Sequence, residues 1–393
     1  MKIAYVTTYD SSDIHNWSGA AFHMRGALAK SGFEIIPVGN LRESHGRVTR
    51  AKKYFYKKFF SKTYFKDREP GLLKFFARQV EQQLSVINYD AVFSPGTIPI
   101  AYLRAQKPVF FWTDATFAGM TGFYPDYDNL CRETIRNGNR MEQLALSNCR
   151  LAFYASEWAA KTAVDNYDVD PAKVKVVPFG ASIDCDRDVA EIKKIISSKT
   201  FEACKLLFIG VDWLRKGGDV SIKVAELLNR RGIKTELHIA GCNPPGDVPD
   251  FVKLHGFVSK KTVAGRMLLD RLFRESHFFI MPSKAECYGM VYAEASSFGL
   301  PSLAADAGGV STVIQLDKNG RLFSANDAPE KYAEYIQKLI SSSREYERLS
   351  LSAFQEYVER LNWTVAGRKL HELIQGSCGQ KVFSSRPPAR FDF

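Results

Sequence analysis

Two carboxylates, Glu286 and Glu294, lie eight positions apart in the stretch Pro-Ser-Lys-Ala-Glu-Cys-Tyr-Gly-Met-Val-Tyr-Ala-Glu. The apolar run Phe278, Phe279, Ile280 and Met281 before them reads as a buried parallel strand. The residues from Gly289 to Phe298 read as a helix that Gly299 and Pro301 stop. A strand, a loop and a helix start in that order make an anion site. The free N–H groups of Met290, Val291 and Tyr292 would point at whatever lies over Gly289, and the helix dipole favours a phosphate there. Glu294 lies farther in, roughly 6 Å along the axis at ~1.5 Å rise per residue, too far to compete for those amides. One carboxylate is left at the mouth for sugar hydroxyls and one along the side for a ribose, an arrangement that suits a sugar nucleotide.

Arg215 and Lys216 follow an apolar strand at 205–210 and precede Gly217 and Gly218. Open α/β sheets bind ligands beyond strand ends. There the pair would meet a diphosphate, Arg as a bidentate fork and Lys as a point charge.

The elements that must position these residues repeat a βα order. Strands read at 2–8, 34–38, 91–94, 109–112, 151–155 and 174–177, and again near 206, 236, 254, 278, 302 and 321. Helical stretches at 20–31, 158–166, 220–231, 261–274 and 290–298 lie between them. Such alternation implies α/β architecture with parallel sheets, one in each half of the chain, and a cleft between the halves. At 393 residues with 45% apolar content, the chain can bury two cores. Its seven scattered cysteines show no C-x-x-C pair or metal-ligand spacing, a pattern of reducing compartments. No apolar run reaches the ~18 to 20 residues of a membrane span. These features predict a cytoplasmic protein.

The Glu-x7-Glu spacing resembles the signature of the family 4 retaining glycosyltransferases, and the likeness extends along nearly the whole chain. Val211 to Asp219 resembles the segment that holds the donor diphosphate. Val252 to Phe257 resembles the strand bordering the nucleobase, so His255, Gly256 and Phe257 are implied base contacts. Gly308-Gly309-Val310 and the segment 319–323 complete the downstream pattern. In the first half, Trp17-Ser-Gly19, Thr113-Asp114, Ser156 and the segment 176–184 fit. The resemblance implies the GT-B fold, two Rossmann-like domains facing across a cleft with a C-terminal helix crossing back to the first. The implied boundaries are an acceptor domain at 1–183, a donor domain at 184–362, a crossover helix at 363–375 and a mobile tail at 376–393.

The function so implied is retaining transfer of a sugar from a UDP- or GDP-sugar to a glycan or lipid-linked acceptor by a same-face mechanism. Arg215, Lys216 and the helix amides would carry the charge of the departing diphosphate, so neither metal nor cofactor is needed. Glu286 would orient the donor sugar, Gly289, Met290 and Val291 its phosphates, and Glu294 the ribose. Gly19 would allow close backbone approach, or serve only as a loop glycine. Many relatives have His-Asp where this chain has Thr113-Asp114. Asp114 then reads either as a catalytic or sugar contact or as a strand-end structural carboxylate, with Thr113 and His15 as acceptor candidates. Glu142 and Ser156 read either as acceptor-side groups or as structural ones. Asp184 and Asp186 mimic a metal pair but follow a strand at the domain connection. A sugar-nucleotide epimerase and a non-catalytic sugar-nucleotide binding protein are the other readings. A phosphorylase of this fold would require a pyridoxal-phosphate lysine.

The net charge is +11, and residues 47–69 hold nine Lys or Arg, from Arg47 on, against Asp67 and Glu69. Aromatics interleave them. On a helix, Ala51/Phe55/Phe59 and Tyr56/Phe60/Tyr64 form two adjacent rows, with Lys52, Lys53 and Phe65 on the wrong sides. Such a segment either lies in an anionic membrane interface or packs its aromatics on the first domain. No nucleic-acid recognition fold accompanies the charge. Oligomeric state is left open.

Overall fold

The alternation builds two six-stranded sheets in the computed structural model, which describes residues 1–14, 16–43, 46–183 and 187–379. The first sheet contains β1 (Lys2–Val6), β2 (Glu34–Val38), β3 (Ala91–Ser94), β4 (Val109–Thr113), β5 (Leu151–Tyr154) and β6 (Val174–Val176), in the order β2-β1-β3-β4-β5-β6. The second contains β7 (Cys204–Ile209), β8 (Thr235–Ala240), β9 (Val252–Leu254), β10 (Phe278–Met281), β11 (Ser302–Ala305) and β12 (Gly320–Phe323), in the order β12-β11-β10-β7-β8-β9. Pairing within both sheets is parallel. The central strands β3, β4, β5 and β10 are buried at every position, as strands covered on both faces must be.

In such a sheet a crevice opens where connections leave two neighbouring strands in opposite directions. Those neighbours are β1 and β3 in the first sheet and β7 and β10 in the second. Both crevices open into one cleft of about 960 Å³, lined by Thr7, Pro95 and Thr97 on one side and by Gly210, Arg215 and Glu286 on the other.

The two halves are joined by packed aromatics. The Phe179 ring lies 4.9 Å from Trp112 and 5.3 Å from Tyr288, and the Tyr288 hydroxyl donates to the Phe179 carbonyl at 2.7 Å. The helix Trp363–Gly379 returns onto the helix Ala20–Lys30. At Gly367 a Cβ would come within 2.4 Å of the Ala27 carbonyl oxygen, so the close crossing requires glycine. Trp363 donates its indole N–H to the Ala181 carbonyl at 2.8 Å and stacks on His23. This helix runs past residue 375, so the tail expected from 376 does not begin there. The remainder of that tail, 380–393, lies outside the described residues, as do His15 and the Asp184–Asp186 stretch.

The basic aromatic segment is not one continuous helix. It is helical over Gly46–Phe60 and ends at Ser61, whose φ of 50° takes the chain out of the helix. Lys52, on the wrong side for a solvated lysine, turns inward to Glu69 at 3.0 Å and Glu133 at 2.7 Å. Tyr56 donates to Glu133 and stacks on Tyr64, which is buried. Phe55, Phe59, Phe60 and Tyr54 remain 47% to 64% exposed. Among the described residues, no helix is long and apolar enough to cross a membrane.

Candidate functional site

Glu286 sits in the loop after β10, buried to 7% exposure, where Lys216 closes on its Oε2 as an ion pair. The Arg215 Nη1 lies 3.7 Å from the same oxygen. The two loops meet because Gly217 permits it: its φ is 74°, and a Cβ there would stand 2.1 Å from the Pro282 carbonyl oxygen. A further link, Lys284 N–H to the Arg215 carbonyl at 2.7 Å, ties the loops at their backbones. Arg215 is braced by Asp212, with Nε to Oδ2 at 3.2 Å, and by the Ala285 carbonyl at 2.9 Å. Gly309 closes over the Glu286 loop from the other side, donating to the Glu286 carbonyl at 3.0 Å.

The helix after Gly289 spans Met290–Ser296 and ends where Gly299 adopts φ 62°. Met290 and Val291 line the cleft. The third amide expected to be free is taken, since Tyr292 N–H donates to the Gly289 carbonyl at 3.0 Å. That 3₁₀-type bond tightens the first turn. Glu294 lines the cleft, buried, and is ion-paired to Lys260, which also lines it and which no motif singles out. Its only sequence signal is a Ser-Lys-Lys run between a strand and a helix.

Residues implied to contact the base divide. Phe257 lines the cleft and is 78% exposed. His255 and Gly256 do not line it. The His255 ring stacks on His238, with Nε2 3.1 Å from the His238 Nδ1, and the Gly256 carbonyl accepts from Gly241 N–H at 2.8 Å. The sheet-edge pairing of β8 and β9 holds both residues beside the cleft wall. Gly19 likewise lies behind it: with φ 85° it starts the helix Ala20–Lys30 against Ile14 and His23, while Trp17 and Ala20 face the cleft.

Across the cleft, β4 delivers Thr113, buried, and Asp114, both lining the cavity. Burial pushes the Asp114 carboxyl up to about 7, the facing Glu286 carboxylate adds to the rise, and a hydrogen bond with the Trp17 side chain opposes it. Deeper on this side, burial also raises Glu142 to about 7. Its Oε2 accepts from the Thr97 hydroxyl at 3.0 Å, and that bond and one with the Phe117 backbone oppose the rise. Arg68, 8% exposed, lines the same lobe. Ser156 caps the helix Glu157–Asn166 and points its hydroxyl at the Cys287 carbonyl, 3.4 Å away in the other half. Among the described residues, no three His, Cys, Asp or Glu side chains converge to hold a metal.

One wall thus offers two cations and a carboxylate at strand ends, and the other a carboxyl that titrates near neutrality. Residues 191–356 match the model of glycosyl transferases group 1. This segment belongs to that family. It includes Arg215, Lys216, Lys260, Glu286 and Glu294, whereas Thr113 and Asp114 lie outside it. A D-inositol 3-phosphate glycosyltransferase of Acidothermus cellulolyticus is 28% identical over 196 residues, 46% of this chain and 43% of the relative. The match therefore spans under half the length of that relative. Sucrose-phosphate synthase from Thermosynechococcus elongatus superposes with a TM-score of 0.69 at 13% identity, covering 96% of this chain and 98% of that one. HepE of Anabaena, in complex with UDP-glucose, superposes with a TM-score of 0.61 at 14% identity, covering 96% of this chain and all of that one. At such identities the likeness is one of fold, and that fold is the two-domain GT-B architecture.

Proposed function

We propose that this protein is a retaining glycosyltransferase that moves a sugar from a UDP- or GDP-sugar to a glycan or lipid-linked acceptor. The observation that carries the reading is the convergence of Arg215 and Lys216 on Glu286 at the β7/β10 switch point, within the segment matched by the group 1 family. Departure of a nucleoside diphosphate builds negative charge, and the two cations stand where that charge would develop. Lys216 holds Glu286 as a close partner, so a bound donor would share that lysine between its phosphates and the carboxylate. Glu286 then orients the sugar through its hydroxyls. No bond to Glu286 forms in this reading: the acceptor hydroxyl attacks from the face the diphosphate leaves, and the diphosphate oxygen takes the acceptor proton. Neither a metal nor a further cofactor is invoked, because the charge is met by side chains. Similarity to a protein solved with UDP-glucose supports a nucleotide-sugar donor.

The acceptor enters from the side of Thr113, Asp114 and Glu142. The exposed aromatics of the helix Gly46–Phe60, flanked by Arg47, Arg50, Lys53, Lys57 and Lys58, support delivery of that acceptor at an anionic membrane surface. Calorimetric titration with UDP-, GDP- and ADP-sugars, followed by NMR of the product anomer, tests the reading. Binding of one donor and a product of unchanged anomeric configuration are expected. Absence of binding to the whole panel by folded protein overturns it.

A further inference from the structure

We propose that Tyr124 is a positioning residue that presents Arg215 to the donor diphosphate when the two halves of the molecule are closed, an inference resting on the donor site proposed above. Tyr124 belongs to the first half, yet its hydroxyl accepts from Arg215 Nη1 at 3.1 Å. The guanidinium carbon lies 4.7 Å from the Tyr124 ring centroid, so the fork is held by the ring face and by its hydroxyl together. The same Nη1 donates to Ala285 from its own half. Arg215 is therefore clamped between a loop of the second sheet and a side chain of the first.

The segment carrying Tyr124 is anchored behind and reaches forward. Behind, the Phe117 ring fills the space over Gly138, where a Cβ would come within 2.4 Å of it, and Ala118 N–H donates to the Tyr167 hydroxyl at 3.0 Å. Forward, Met120 Sδ lies 3.1 Å from Cys287 Sγ, and Phe123 packs so near Gly308 that a Cβ there would sit 2.8 Å from its ring. The Tyr124 backbone N–H is itself tied to the Met120 carbonyl at 3.1 Å. A separation of the halves that drew this segment away would take the ring and hydroxyl from Arg215 while leaving Asp212 and Ala285 in place. The arginine would then regain part of its rotamer freedom, and ordering a long side chain again costs free energy. Closure removes this cost before the diphosphate is bound, which couples domain approach to charge stabilisation.

UDP and GDP serve as probes in calorimetric titrations of the full chain. Tyr124→Phe weakens the tighter of the two about three- to tenfold, the scale of one hydrogen bond, and Tyr124→Ala weakens it further. In an Arg215→Ala background, Tyr124→Phe has no further effect, because the two side chains act as one unit. Thr312→Val removes a different contact between the halves, Glu157 N–H to the Thr312 hydroxyl at 2.9 Å, and leaves the nucleotide affinity unchanged. Unchanged affinity in Tyr124→Phe, or an equal loss in both Arg215 backgrounds, overturns the assignment while leaving the donor site standing. Failure of the unmodified protein to bind either nucleotide, or full affinity in Arg215→Ala, overturns the role of Arg215 and this inference with it.

Discussion

Lys260 reaches from the loop after β9 to close an ion pair on Glu294, whose side chain is 3% exposed while that of the lysine is 37% exposed. The carboxylate is the buried partner and the lysine its link to water. Removing the lysine strands a buried charge, whereas neutralising both partners does not. Lys260→Met is expected to lower unfolding free energy by about 1 to 3 kcal/mol in urea, and the added change Glu294→Gln to recover part of it. A double variant no more stable than the single one would remove Glu294 from the role of the stranded charge.

Glu286 pairs with Lys216 and Arg215, the two cations proposed above to meet the donor diphosphate. Glu286→Gln keeps its volume and is expected to cut turnover about a hundredfold or more, with an unchanged circular dichroism spectrum. Turnover within threefold of the unmodified enzyme, read by release of the nucleoside diphosphate, would rule out the orienting role.

Two carboxyls of the first half are raised by burial, Asp114 and Glu142 each to about 7. The folded protein therefore holds these protons where the unfolded chain has released them, so stability falls as pH rises from about 4 through 7. Glu142→Gln is expected to abolish its part of that fall, on the order of 3 kcal/mol, when its urea-unfolding profile is subtracted from that of the unmodified protein. If Asp114 meets the substrate as a carboxylate, turnover rises with pH through an apparent value near 7, and Asp114→Asn flattens the profile. A profile unaltered in Asp114→Asn makes it a structural strand-end residue.

The helix Gly46–Phe60 keeps Phe59 and Phe60 at 64% and 58% exposure beside its cations. Vesicles of phosphatidylglycerol and phosphatidylcholine are expected to sediment the protein, and pure phosphatidylcholine vesicles much less. Phe59→Ser with Phe60→Ser should reduce binding to the anionic vesicles at least tenfold while leaving nucleotide affinity intact. Equal sedimentation with both lipid compositions would discard the electrostatic part of the proposal.

Much of this site was legible because its residues are held by short-range rules. Strand ends, glycines with left-handed backbone and the start of a helix follow from local sequence, so Arg215, Lys216, Glu286 and Met290 could be placed in one cleft wall. The less local contacts were not legible. Tyr292 spends its amide on Gly289 because the first turn tightens. His255 and Gly256 are drawn into the β8 and β9 edge by His238 and Gly241. Lys52 looked misplaced on a helical wheel because its partners, Glu69 and Glu133, come from later in the chain.

Sequence alone determined the α/β alternation, the two-sheet plan and the placing of Arg215, Lys216 and Glu286 at strand ends, because hydrophobic period and turn chemistry act over a few residues; that the two cations pair with Glu286 was decided by the fold. Only the tertiary structure decided that Tyr124 clamps Arg215, that Lys260 neutralises Glu294 and that Asp114 faces Glu286. Each of these joins residues 34 to 172 positions apart. The first and last depend on how the two sheets close on each other and the second on how loops meet around one sheet, which no local pattern encodes.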